Sequence, residues 1–142
     1  MVENIEDSKE NSLLKPGIEM ERVVNVDSSM VIDFLGDDGR VLSTPSMIDA
    51  MERLCREMVK PYLKEDEDTV GIRIDAKHIA PTPLGMSIRV HTLLASIDGR
   101  RLVFHIDVHD EYEKVGEAVH ERFVISKSRF VERVRAKARQ DN

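Results

Sequence analysis

The sequence predicts an α+β fold in which one mostly buried helix covers a face of a curled antiparallel sheet. Three observations predict it: one long amphipathic segment, a run of four strand candidates separated by turn signals, and no strand–helix–strand alternation that would ask for a parallel sheet. At 142 residues the chain suits a single domain with one core.

Residues 1–15 carry Glu3, Glu6, Asp7 and Glu10 among Asn and Ser, too polar to pack, and read as a frayed tail before a single domain over 16–142. Ile18 to Val26 is strand-like, Met30 to Leu35 suits a short helical turn, and Asp37-Asp38-Gly39 is a turn. Ser43-Thr44-Pro45 starts a helix, because a hydroxyl can cap the free amides and proline in the first turn loses no hydrogen bond. That helix runs from about Pro45 to Val59, with Met47, Ile48, Met51, Leu54, Cys55 and Met58 on one face and Glu52 at its margin; Pro61 ends it. Thr69 to Ile79 alternates Val70, Ile72, Ile74, Ala76 and His78 on one side, so the imidazole points where the apolar side chains point. Met86 to Ile97 sets Ile88, Val90, Thr92 and Leu94 together, and Asp98-Gly99 turns the chain into Arg101 to Asp110, where Leu102, Phe104, Ile106 and Val108 alternate. Val115 to Ile125 places Val115, Val119, Phe123 and Ile125 on one face. Residues 127–140 read as a basic helix with a Phe130, Val134, Ala138 stripe that needs docking.

Composition excludes whole classes of function. A net charge of -6 lacks the basic footprint that neutralises nucleic-acid phosphates. One cysteine, Cys55, cannot form an internal disulfide and reads as a small packing residue in a reducing compartment. No apolar run reaches the roughly 18 residues of a membrane span, so the expectation is a soluble cytoplasmic protein without a membrane partner. His105, Asp107 and His109 share a strand face at a spacing a divalent metal could use, but a solvated outer sheet face accounts for them and no metal or other cofactor is expected. Glu65-Asp66-Glu67-Asp68 reads as an exposed loop, and the basic residues from Lys127 to Arg139 as a solvated helix face rather than a phosphate site.

The chemistry concentrates in Thr44, Glu52 and His78: a hydroxyl, a carboxylate, and an imidazole whose ordinary pKa near about 6.5 suits proton transfer at neutral pH. Taken singly, each has a plainer reading: Thr44 as a helix cap, Glu52 as a helix-edge carboxylate, His78 as a satisfied structural histidine. Together with Ser43-Thr44-Pro45, Thr69-Val70-Gly71, His78-Ile79-Ala80-Pro81-Thr82-Pro83-Leu84-Gly85, Asp98-Gly99-Arg100-Arg101-Leu102-Val103-Phe104 and His120-Glu121-Arg122-Phe123-Val124, they come in an order that resembles the fluoroacetyl-CoA thioesterase-like proteins of the hotdog superfamily, over roughly residues 16–133.

The resemblance implies a hotdog fold, an antiparallel sheet wrapped round a long helix, working as a homodimer with active sites at the subunit interface. It implies that Thr44, Glu52 and His78 form the catalytic set, and that Gly71 and Arg122 contact the substrate, the glycine by opening backbone amides to an acyl group. His78 is then the general base and acid. Glu52 orients it, activates water or attacks the carbonyl, and Thr44 positions the acyl group or supports the oxyanion. The segment Phe34 to Arg40 departs from a clear match to the lid of the fluoroacetyl-specific member, so the fluorinated substrate is not carried over and the expected substrate is a short or medium acyl-CoA. Two rivals remain: a hotdog hydratase or dehydratase, whose close Asp–His pair is missing from residues 43–59, and a non-catalytic acyl-CoA-binding module, against which the intact Thr44, Glu52 and His78 set weighs.

Overall fold

The computed structural model describes residues 14–140. Most of the expected tail therefore lies outside the described residues, and within it Leu14 packs partly against the core. Five strands, β1 (Glu19–Asn25), β2 (Glu67–His78), β3 (Ser87–Asp98), β4 (Arg101–His109) and β5 (Lys114–Ser126), form one antiparallel sheet in the order β1-β3-β4-β5-β2. The long helix α1 (Thr44–Val59) packs on β3 and on both edge strands, so the sheet curls round it. A second helix, α2 (Lys127–Arg139), follows β5 directly.

The helix face and the strand faces expected to be apolar meet in one core. Met47, Met51, Leu54, Cys55 and Met58 from α1 lie against Ile88, Val90 and Leu94 of β3 and Leu102, Phe104, Ile106 and Val108 of β4, all buried. Each such large side chain contributes about 1.5–3 kcal/mol relative to exposure. The one polar intrusion on β3, Thr92, is satisfied by Cys55 at 3.1 Å, and burial pushes the thiol up to about 12, which leaves it a packing group. Asp98-Gly99 turns as expected, with Gly99 at φ +59°, a conformation open to glycine.

Several expectations need correction. Ile72 does not join Ile74 and Ala76 on the inner side: the register slips between Gly71 and Arg73, and the extra residue of that bulge leaves Ile72 half exposed. On β5 the buried face carries Ala118, His120, Arg122 and Val124, while Val119, Phe123 and Ile125 turn outward to varying degrees. A hydrophobic count misplaces the strand because the middle of its inner face is polar. The turn near Met30 is a single 3₁₀ turn over Ser28–Met30, after which Val31 bridges to Leu42. Glu67 and Asp68 belong to β2 rather than a loop, and Arg56 grips Asp68 through two bonds of 3.0 and 2.7 Å. The stripe on α2 remains undocked, with Phe130 and Val134 exposed.

Candidate active site

Ser43, not Thr44, caps α1: its hydroxyl accepts from the Ser46 amide at 3.1 Å. The Thr44 hydroxyl is thereby released from the capping role that its position beside Pro45 suggests. It lies 2.8 Å from Nδ1 of His78. His78 is the last residue of β2, opposite Gly116 on β5. The first turn of α1 packs over Gly116: a Cβ there would stand 2.5 Å from Sδ of Met47 and 3.2 Å from the Lys77 carbonyl oxygen. The start of α1, which carries Thr44, thus lies beside the end of β2, which carries His78.

The run after His78 is fixed just as firmly. Thr82 is fully buried and its hydroxyl donates to Asp110 at 3.1 Å, the Leu42 amide donates to the Thr82 carbonyl at 2.8 Å, and Gly85 turns at φ +93°. Together with Ile32, Phe34 and Val41, the residues Ile79, Ala80 and Pro81 make apolar walls for a cavity of about 400 Å³ that holds Thr44 and His78. Burial lowers the His78 pKa from its ordinary 6.5, favouring the neutral ring. Its Nε2 is buried and has no hydrogen-bond partner among the described residues. An unpartnered buried nitrogen costs stability, and active-site bases are where such a group is kept ready for an external partner.

Glu52 stands in a second cluster. Eight residues after Thr44, it lies about 12 Å further along the helix axis. Its Oε1 is 3.7 Å from Nε2 of His120, and it fills the space over Gly71, where a Cβ would be 2.8 Å from that oxygen. Arg122, 6% exposed, donates through Nε to the Thr69 hydroxyl at 2.7 Å and through Nη2 to the Thr69 carbonyl at 2.8 Å. Its Nη1 lies 3.2 Å from His120 Nε2. Burial pulls the Arg122 pKa below its ordinary value, but each guanidinium nitrogen has a partner. Glu52, Gly71 and Arg122 line an open cavity of about 410 Å³ with Arg53, Arg56 and Thr69.

The structure thus brings Thr44 to His78, and Glu52 to Gly71 and Arg122, in two cavities of one chain. His120 is the residue to which sequence reasoning assigned no role. Its signal was available: His120 and Arg122 sit between Ala118 and Val124 in strict alternation, a polar pair on an otherwise apolar strand face.

Comparison with known proteins agrees with this geometry. The profile of the fluoroacetyl-CoA-specific thioesterase family matches residues 26–128. The fluoroacetyl-CoA thioesterase of Streptantibioticus cattleyicolor is 37% identical over 97 residues, covering 68% of this chain and 70% of that protein. A solved structure of the fluoroacetyl-CoA thioesterase FlK superposes with a TM-score of 0.81 at 30% identity, covering 87% of this chain and 97% of that one. A hot-dog-like protein from Thermanaerovibrio acidaminovorans shares the fold, with a TM-score of 0.83 at 24% identity over 89% of this chain and 95% of its own. The sheet curled round α1 is accordingly a hotdog fold, and the chain belongs to the fluoroacetyl-CoA-specific thioesterase family.

Proposed function

We propose that this protein hydrolyses a short or medium acyl-CoA thioester to the free acid and coenzyme A, with Thr44, Glu52 and His78 as its catalytic groups. The observation that carries the reading is the 2.8 Å contact between the Thr44 hydroxyl and His78, beside an apolar cavity and with the other ring nitrogen unpartnered among the described residues. Where water attacks the thioester carbonyl, the neutral imidazole takes its proton. The same ring returns that proton to the departing sulfur, so coenzyme A leaves as the thiol. Thr44, at the first turn of α1, holds the ring and stands at the positive end of the helix, where an oxyanion is favoured. The apolar walls, Phe34 among them, suit an acyl chain of modest length.

Glu52 completes the set as the group that orients His78, activates water or attacks the carbonyl. Its place in a separate cavity of the same chain supports a site shared between two copies, as the homodimer of the resemblance implies. Gly71 and Arg122 then border the acyl and thioester groups from the Glu52 side.

The test is free-thiol release from acetyl- to palmitoyl-CoA, with fluoroacetyl-CoA included because the named relatives act on it. Selective turnover by the wild type that falls by about a hundredfold or more in His78→Ala is the expected result. Tight acyl-CoA binding with no thiol release sinks the hydrolase and leaves a binding module.

A further inference from the structure

The His120 ring lies on the inner face of β5 with 0% exposure and stacks on Phe104 at 6.1 Å between centroids. Its Nδ1 is 2.8 Å from the Arg73 carbonyl oxygen. A carbonyl only accepts, so Nδ1 carries a proton. Its Nε2 is 3.2 Å from Nη1 of Arg122, and a guanidinium only donates, so Nε2 presents a bare lone pair. Two neighbours at opposite ends of the ring thus select one neutral tautomer. Burial, which lowers the His120 pKa from 6.5, acts in the same sense.

The consequence falls on Glu52. Its Oε1 lies 3.7 Å from the same Nε2, yet a bare nitrogen has no proton to give a carboxylate. On the other side Gly71 offers no side chain, and a Cβ there would stand 2.8 Å from Oε1 and 3.2 Å from Cε1 of His120. Among the described residues Glu52 therefore sits beside an imidazole edge and a bare backbone without a hydrogen bond to either.

We propose that His120 is a positioning residue for Glu52: by accepting from Arg122 through Nε2 it anchors the guanidinium and leaves the carboxylate oxygens free for water or the thioester carbon. The inference rests on the catalytic reading of Glu52 given above.

Two substitutions divide the functions of the ring. His120→Asn keeps a donor near the Nδ1 position for the Arg73 carbonyl and removes the acceptor. His120→Gln carries an amide oxygen out to the Nε2 position. With the acyl-CoA that the wild type turns over fastest, the Asn variant is expected to lose about tenfold or more in kcat at a KM within about twofold, and the Gln variant to recover most of the loss. Equal losses in both variants, a folded Asn variant at wild-type kcat, or a change confined to KM overturns the proposal. Ring 15N shifts of the wild-type protein give a second reading that no folding defect obscures: Nδ1 protonated and Nε2 bare is expected at neutral pH, and a doubly protonated ring overturns it. Wild-type kcat in Glu52→Gln, measured with His120 intact, marks instead the failure of the underlying reading and takes this proposal with it.

Discussion

The two nitrogens of His78 face different surroundings, Nδ1 against the Thr44 hydroxyl and Nε2 against no partner among the described residues. Desolvation penalises the imidazolium, so the ring pKa lies below 6.5. If the neutral ring is the working base, the acidic limb of kcat/KM inflects below 6.5, the ordinary value, rather than above it. The same direction governs stability. Below 6.5 the unfolded chain takes up protons at His78 and His120 that the folded chain resists, so their contribution is present above that pH and is lost as the pH falls. A kcat/KM profile from about pH 5 to 8, with melting curves at each point to keep the fold and the base apart, checks both. A limb that inflects above 6.5 while the protein stays folded removes neutral His78 from the mechanism.

At the level of the helix, Ser43 and Thr44 are adjacent hydroxyls with separate duties. Ser43 caps α1 and Thr44 meets His78 from an exposed position. Ser43→Ala is expected to cost about 1 kcal/mol of stability and keep much of the activity. Thr44→Ala is expected to stay within about 0.5 kcal/mol of wild type and lose activity. Denaturant unfolding and thiol release on the two variants check the division, and a reversed pattern returns Thr44 to the cap.

The amphipathic face of α1 and the alternation of β3 and β4 were legible because each buries an apolar set that only Thr92 of β3 interrupts. The inner face of β5 was not, since His120 and Arg122 are buried there by hydrogen bonds to Arg73 and Thr69 that no periodicity reports. The exposure of Ile72 was hidden for another reason: a bulge shifts one residue without any mark in its neighbours' hydrophobicity. Of the candidate site, residue types and order named Thr44 and His78, whose side chains the fold brings to 2.8 Å. The separation of Glu52 from them follows from helix length alone, and the sequence reading had not drawn it.

Across the whole molecule, the two halves of the site share one open border. β2 is an edge strand among the described residues, carries His78 at its end and Gly71 in its middle, and leaves one row of backbone groups without a strand partner there. A second copy pairing antiparallel along β2, about a point midway between Gly71 and His78, would set the Glu52 cluster of each chain against the Thr44–His78 pair of the other. This arrangement predicts complementation between two dead proteins. Glu52→Gln and His78→Ala, each inactive alone, are unfolded together and refolded as a mixture. Random pairing makes about half the dimers mixed, and each mixed dimer rebuilds one intact site of two, so about a quarter of wild-type thiol release returns. Sedimentation of the wild type as a dimer is the companion measurement. If every catalytic group came from one chain, no mixed dimer would hold an intact set and the refolded mixture would stay as inactive as its parts.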